Sequence, residues 1–314
     1  MAWLTSDLLA DVRRRAMLPT TTALGTADAD ILEHANNEMA TRLVPLVMSV
    51  NEEFYVQTID VSLTSGVSAY RLPNRNAGAK LRDVTLVRGN TVLNLARIEP
   101  ERLTDWTTTA AGVPQGFYLE AGTVNLVPAP SGGGTLRLKY FVRPGRFTAT
   151  ATDYGVITGA TYNGNAVALT FTGSLLTVNT QLYDVIAYRP PFEYLVTDGV
   201  ASGSSAGNST LTVSSPTTPA PNLSPNIAVG DYICARDKSP IIQLPVELQS
   251  LLVQRTVCAI MESFGYDERL VRAEEAYERM EAAALKLLSP RVDGAPKKMR
   301  GLLSAVTRFG PGLR

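Results

Sequence analysis

The amino-acid sequence predicts an α+β protein, in which N- and C-terminal helices form a helical bundle and a large antiparallel β region, sandwich- or barrel-like, is inserted between them. Three observations lead to this prediction: apolar spacings of three and four near both ends, a spacing of two after Phe54, and a basic segment at the C-terminus. The expected divisions are a bundle formed by residues 1–52 and 243–289, β-rich segments at 53–150 and 151–242, and an extended arm at 290–314.

Two helices are expected near the N-terminus. Thr5 or Ser6 can cap the first, because their hydroxyls can accept the free N–H groups of a first turn, and this helix should run to about Ala16. A second apolar face follows at Ile31, Ala35, Met39, Leu43 and Leu46. Pro45 lies inside this pattern and should kink or end the helix, because its ring clashes with the preceding turn.

The central region alternates between apolar and polar residues, which is typical of half-buried strands. The first group of expected strands covers residues 55–63, 80–87, 91–98, 116–119, 123–127 and 135–143. The second group covers residues 155–158, 166–171, 184–188, 209–213 and 230–235. Glu120–Thr123 and Ser131–Gly134 are predicted hairpin turns, and residues 202–225 should include exposed loops. Asp184-Val-Ile and Asp231-Tyr-Ile resemble a short internal repeat.

Helices are expected again after Leu244. Pro245 suits a first helical position, where its missing N–H costs nothing, Gly265-Tyr266 should break the helix, and Asp267 can cap the next one. The two apolar stripes are Leu248, Leu251, Leu252, Val257, Ile260 and Met261, then Leu270, Ala273, Tyr277, Met280, Ala284 and Leu287. Because each stripe needs a partner, the terminal helices should pack together, with the two ends of the β region close to each other.

The segment after Ser289 is basic and contains several glycines and prolines, which disfavour a long helix. Its charged residues are Arg291, Lys297, Lys298, Arg300, Arg308 and Arg314 against Asp293, which gives a net charge of +5 and leaves −5 for the rest of the neutral chain. Sparse apolar residues lie at Met299, Leu302, Leu303, Val306 and Phe309. We therefore predict an arm that binds a partner through these basic and apolar residues.

No enzyme is predicted from the residue patterns. The single histidine, His34, is expected on a helix surface beside Glu33 and Glu38, where it is an ordinary surface residue. Gly203–Gly207 fits the letters of a G-x-S-x-G nucleophile elbow, but its surroundings are turn-rich, so the match is interpreted as accidental. The acid pair Glu52-Glu53 lies at an element boundary, and the acids of residues 274–281 alternate with arginines as on a solvated helix face.

Composition excludes other classes. A formal net charge of zero argues against a dedicated nucleic-acid binder. Cys234 and Cys258 are too few and too far apart for a disulfide framework or a usual zinc site, and Cys258 is expected in the core; no metal or cofactor is predicted. The N-terminus lacks the order of a signal peptide, and no apolar run is long enough for a membrane span, so a soluble protein made in the host cytoplasm is expected.

The order of these segments resembles the head–tail connector, or adaptor, proteins of tailed bacteriophages, over about four-fifths of the chain. The segments that carry the resemblance are Val44–Val56, Tyr70–Pro73, Lys80–Val84, Gly116–Leu119, Leu126–Pro130, Leu136–Pro144, Val229–Ile233 and Leu244–Leu248, followed by a long helix.

The resemblance implies a structural protein of the virion, located at the head–tail junction. It implies a homo-oligomeric ring, usually dodecameric, beneath the portal protein, with tail or neck proteins below and DNA passing through the channel without specific binding. It implies no catalytic site, and it matches residues 290–314 to the segment that reaches the portal. The β region is larger than in the small all-helical adaptors, which leaves its role open.

A second reading stays open, in which the β-rich centre is a tail- or fibre-attachment or carbohydrate-binding module of the same particle. It would need surface aromatic residues along one groove, for which Tyr118, Tyr154, Tyr162 and Tyr188 are the candidates. We expect these tyrosines mostly in cores or interfaces. A hydrolase is the third reading, and it would need a pocket of acids with raised pKa values.

Overall fold

The computed structural model describes residues 3–18, 27–105, 111–163, 166–175, 181–202, 210–214 and 226–288. It is a mixed α and β protein with helices at both ends and antiparallel sheets between them. The helices are α1 (Thr5–Ala16), α2 (Asp28–Glu38), α3 (Val44–Val50), α4 (Val246–Ser263) and α5 (Asp267–Leu288).

Helix α1 begins where the sequence predicted, but through a different cap. The Asp7 carboxylate accepts the backbone N–H of Leu4 at 3.0 Å, while the Thr5 hydroxyl donates to the carbonyl of Pro240 at 2.7 Å. The prediction that Thr5 or Ser6 caps the helix is therefore wrong. An acid at the third helical position can satisfy the free N–H groups just before it, and that leaves Thr5 to tie the helix to the chain before α4.

Pro45, which was expected to kink or end the helix, does not end it, because helical conformation continues from Asp28 to Val50. A π-helical turn at Met39–Leu43 separates α2 from α3, and Pro45 occupies the first turn of α3. A proline cannot donate to the carbonyl four residues earlier, and a widened turn accommodates that loss. The buried face continues across the change, through Met39, Leu43 and Val47.

All five helices contribute to one hydrophobic cluster. Helix α4 contacts α1, α2 and α5, and buried side chains from each helix meet there. Cys258 is fully buried in this cluster, as predicted. The prediction of Leu287 on the apolar stripe of α5 is wrong, because Leu287 is 72% exposed, whereas the neighbouring Leu288 packs against the cluster.

The strands of the described segments are numbered in chain order. They are β1 (Val56–Ser62), β2 (Ala69–Arg71), β3 (Asn76–Arg88), β4 (Thr91–Asn94), β5 (Ala96–Arg97), β6 (Gly116–Glu120), β7 (Thr123–Val127), β8 (Thr135–Val142), β9 (Arg146–Phe147), β10 (Tyr154–Asn163), β11 (Ala166–Thr172), β12 (Leu182–Ile186), β13 (Tyr194–Ser202), β14 (Thr210–Ser214), β15 (Tyr232–Ala235) and β16 (Lys238–Ser239). Strands β2, β9, β13 and β16 were not predicted from the sequence.

Two four-stranded sheets form the first part of the β region. The first sheet has the order β1-β8-β3-β4 and is antiparallel throughout, and the second has the order β2-β7-β6-β5. Glu120–Thr123 is a hairpin turn, as predicted, with Ala121 and Gly122 at positive φ. The predicted hairpin at Ser131–Gly134 is wrong, because it joins β7 to β8, which belong to different sheets.

The second part of the β region is a closed barrel with the order β10-β11-β14-β13-β12-β15. Its interior is filled by apolar side chains such as Ile157, Leu169 and Val185, all fully buried. The barrel also packs on the first sheet, since Ile186 and Tyr194 belong to the same apolar cluster as Leu138. The loops expected at residues 203–209 and 215–225 lie outside the described residues, and residues 210–214 between them form β14.

Candidate functional site

Gln243, in the short segment before α4, lies where the helices, the first sheet and the barrel meet. Its side-chain oxygen accepts the N–H of Gly145 at 2.9 Å and the hydroxyl of Tyr194 at 2.8 Å. Its side-chain nitrogen donates to the carbonyl of Phe192 at 3.3 Å, and its own carbonyl accepts the hydroxyl of Tyr55 at 2.9 Å. We call this set the central junction. The contact between Tyr55 and Gln243 brings together the two ends of the β region, as the sequence predicted.

A buried ion pair lies beside the central junction. The guanidinium of Arg75 donates to the Asp184 carboxylate through Nη2 at 2.5 Å and Nε at 3.2 Å, and both side chains are at most 2% exposed. The same carboxylate accepts the backbone N–H groups of Asp198 at 3.0 Å and Asp237 at 3.1 Å. Arg75 precedes β3 and Asp184 lies in β12, so the pair fastens the barrel to the first sheet.

Burial and neighbouring groups shift the pKa values of three side chains in this region: burial raises the pKa of Asp184, an effect that Arg75 opposes. Burial alone lowers the pKa of a guanidinium, but Tyr194 and Asp184 raise the pKa of Arg75 above its ordinary value, so it stays charged. The guanidinium also lies 4.4 Å from the centre of the Tyr194 ring. Burial raises the pKa of Tyr194 to about 12, so its hydroxyl stays protonated and donates to Gln243.

The echo noticed at Asp184 and Asp231 has a structural explanation. Asp231 is 2% exposed and accepts the N–H groups of Tyr188 at 3.1 Å and Ala228 at 2.7 Å. Asp184 thus satisfies backbone donors in β13 and after β15, and Asp231 satisfies donors before β15 and after β12. The sequence showed the two aspartates only as a short repeat, and their partners were not foreseeable.

Two clefts lie near the junction. One, of about 220 Å³, is lined mainly by apolar side chains together with Gln57, Thr58, Glu193 and Gln243. The other, of about 660 Å³, is polar and lies between α2 and β9, where Glu33 pairs with Arg146 at 2.5 Å. The charged groups in both clefts are of mixed sign or few, so neither presents an arrangement for acid–base or phosphate chemistry.

The residues considered and rejected as catalytic groups lie on helices or take part in ion pairs. His34 is half-buried on α2, and its neighbours Glu33 and Glu38 pair with arginines instead, Glu38 with Arg255 at 2.8 Å. Glu52 pairs with Lys80 at 3.3 Å and with Arg82 at 2.9 Å. Across the described part of the chain, no group of three or more His, Cys, Asp or Glu side chains could hold a metal ion.

The acids of α5 behave as predicted for a solvated helix face, with Glu275 and Arg279 paired at 3.6 Å while both remain largely exposed. Cys234 and Cys258 are free and buried, and burial raises the pKa of both thiols. Gly203–Gly207 and the arm residues Arg291, Lys297, Lys298, Met299, Arg300, Leu302, Leu303, Val306, Arg308, Phe309 and Arg314 lie outside the described residues.

The four tyrosines named for a carbohydrate groove are half-buried and lie in three separate parts of the β region. Tyr118 lies in β6, Tyr154 and Tyr162 lie in β10, and Tyr188 follows β12. Tyr154 packs against the core between sheet and barrel, and its ring centre is 6.3 Å from that of Tyr232. Tyr162 packs against the barrel core. No helix among the described segments has the length and apolar character of a membrane span.

The helices gathered around α4 and the β region are joined by the buried central junction. The family model for the SU10 adaptor protein matches residues 5–167, which is more than half of the chain. The chain therefore belongs to the SU10 adaptor protein family. It is a structural adaptor of a phage particle, in contact with head and tail components. No curated protein matches the chain.

The match runs from α1 through both four-stranded sheets to β10 and the start of β11. It thus includes α1–α3 and two residues of the central junction, Tyr55 just before β1 and Gly145 after β8. The resemblance to phage adaptors inferred from the order of the segments is confirmed by this membership.

Proposed function

We propose that this protein is a head-to-tail adaptor that forms a ring, dodecameric as in the adaptors it resembles, beneath the portal of a tailed phage. In this role it joins the capsid to the tail and gives passage to the DNA. The observation that carries the proposal is the family match over residues 5–167. The neutral total charge is consistent with a channel that lets DNA pass without holding it, because a dedicated binder needs an excess of Lys and Arg.

The arm at residues 290–314 is proposed as the portal contact. Its net charge of +5 and its five apolar residues suit a segment that becomes ordered on a partner. Several identical arms in one ring would bind together, so that weak individual contacts add up through effective concentration. We also propose the domain division that the sequence patterns predict. It joins residues 1–52 with 243–289 and separates 53–150, 151–242 and 290–314.

The test is electron microscopy of particles from cells infected with phage that lacks this gene. Heads without tails, beside free tails, are expected. Complete particles that only fail to adsorb to cells would instead support the fibre or carbohydrate-binding function and contradict the adaptor function. Re-supplying the full-length protein from a plasmid should restore complete particles, which is the control for effects on neighbouring genes.

A further inference from the structure

One edge strand of the first sheet, β4, is short and contains no charged residue. Strand β4 reads Thr-Val-Leu-Asn, all four residues are exposed, and Val92 and Leu93 are 59% and 40% exposed. Edge strands are normally protected from other chains by short length, by Lys or Pro, or by a bulge. Strand β4 is short, but it carries no Lys or Pro and no bulge, since its pairing with β3 runs from Thr85–Asn94 to Arg88–Thr91 without a register shift.

Backbone N–H and C=O groups on the outer edge of β4 point away from β3. The N–H of Leu95, just after the strand, donates to the carbonyl of Val84 at 3.0 Å. Residues of an antiparallel strand direct their N–H and C=O alternately toward one neighbour and the other. Val92 and Asn94 therefore direct theirs away from β3, and within the described ranges no strand pairs with that side.

The opposite margin of the same sheet, β1, has a matching set of outward groups. The N–H of Leu63 donates to the carbonyl of Gly134 at 2.8 Å, so the alternation directs the backbone of Thr58, Asp60 and Ser62 away from β8. None of the strands that the structure describes pairs with this side either.

The two edge strands, β4 and β1, match in strand direction and in the face on which their outward-bonding residues place their side chains. With four antiparallel strands in the order β1-β8-β3-β4, the outer strands run in opposite directions. The register lines up Asp60, Arg137, Thr85 and Asn94 across one face. The outward backbone groups of both margins thus belong to residues whose side chains share that face, which is the condition for continuing the sheet.

We propose that β4 of one copy pairs with β1 of a second copy of this chain, so that the first sheet continues from copy to copy. The exposed Leu93 then lies beside Ile59 and Val61 on the apolar face of the neighbouring sheet. Pairing of β1 with itself would bring the Asp60 carboxylates of two copies together, whereas the uncharged β4 creates no such repulsion.

The contact is head-to-tail, because it joins two different surfaces. Each copy can then bind two neighbours, and such a contact closes into a ring or continues as a filament, depending on the rotation between copies. That it closes into a ring rests on the proposed function, whereas the pairing itself does not.

The experiment is cross-linking of the full-length protein in phage particles with a short bis-maleimide. Two double variants are used: Val92→Cys with Thr58→Cys, and Val92→Cys with Ser62→Cys. At least one combination should give a ladder of multimers on a denaturing gel, while each single variant stays monomeric. Cys234 and Cys258 are buried and protonated, so they do not compete. The control replaces Val92→Cys with Val271→Cys, at a side chain that is 57% exposed on α5, and should give no ladder.

The absence of any ladder, or dimers from Val92→Cys alone, would overturn the proposed pairing; the dimers would show that β4 pairs with itself. The position of the protein in the particle is tested separately by electron microscopy. Protein at the head–tail junction without cross-links contradicts only the pairing. If the cross-links form but phage that lacks this gene still makes normal head–tail junctions, only the adaptor function is contradicted.

A second variant addresses the backbone directly. Val92→Pro removes an N–H that points outward and leaves the bonds to β3 in place, whereas Val92→Thr keeps that N–H. Sedimentation of the purified full-length proteins should show self-association weakened at least about tenfold in Val92→Pro and unchanged in Val92→Thr, at equal thermal unfolding midpoints. Equal self-association of both variants would contradict the pairing.

Discussion

At the scale of single residues, the protein contains two Arg–Asp pairs that differ mainly in their access to water. Arg75 and Asp184 are at most 2% exposed, whereas Arg137 and Asp60 bind through two parallel contacts of 2.8 Å at about 40% exposure. Water screens the exposed pair and replaces its lost contacts. The buried pair has no such replacement, so removing one partner leaves an uncompensated charge.

Asp184→Asn should therefore lower the free energy of unfolding by about 3–5 kcal/mol, because Arg75 is left charged in the interior and the amide cannot accept every N–H that the carboxylate accepts. Asp60→Asn, the matched change in the exposed pair, should cost less than about 1 kcal/mol. Urea unfolding followed by circular dichroism measures both. Equal losses in the two variants would show that Arg75–Asp184 does not act as a buried pair.

The sequence did not reveal this pair. Asp184 was noted only as part of a short repeat with Asp231, and Arg75 is 109 residues away and lies in a turn. Periodicity predicts which residues face a core, as it did for Leu248, Leu251 and Cys258, because that depends on neighbours within a few positions. It carries no information about which distant segments meet, so the central junction could not be predicted.

At the scale of elements, the turn between α4 and α5 shows how a local signal specifies structure. Gly265 has a φ of +69°, and its N–H donates to the carbonyl of Glu262 at 3.1 Å, while the N–H of Tyr266 donates to Met261 at 3.1 Å. This pair of bonds is a Schellman motif, which ends a helix at a residue in the left-handed conformation. The predicted break at Gly265-Tyr266 is confirmed because its cause is local.

Gly265→Ala should lower the free energy of unfolding by about 1 kcal/mol, because an L-residue is strained at this positive φ although no atom lies within 4 Å of the added Cβ. Gly133→Ala is the matched control, with equally open space and no positive φ, and should stay within about 0.5 kcal/mol of the wild type. Thermal unfolding compares the two, and an equal effect at both positions would contradict the role of backbone conformation.

Elements were harder to predict where the chain leaves the regular pattern. Strand β13 was missed because Asp198 and Gly199 interrupt its apolar run, and Asp198 adopts a φ of +53° beside an irregular register with β12. The turn at Ser131–Gly134 was predicted correctly as a turn and wrongly as a hairpin. Turn residues reveal a change of direction, but the sheet that the next strand joins depends on the whole fold.

At the scale of the whole molecule, the charge is unevenly distributed. Residues 290–314 carry a net charge of +5 and the rest of the chain carries −5, although the total is zero. Helix α5 is described to Leu288 and packs against α4. The proposal that residues 290–314 bind the portal rests on this charge, and truncation tests it.

Deleting residues 290–314 should leave the thermal unfolding midpoint unchanged and abolish attachment to the portal protein, as measured by co-sedimentation of purified full-length and truncated protein with portal rings. Replacing Lys297, Lys298 and Arg300 with glutamine keeps the apolar residues and separates the two contributions. If charge dominates, this variant should bind weakly at all salt concentrations, whereas wild-type binding should weaken as salt rises, because ions screen exposed charges. Normal attachment of the truncated protein would contradict the proposed role of the arm, and the adaptor would then have to meet the portal through its helices or its β region.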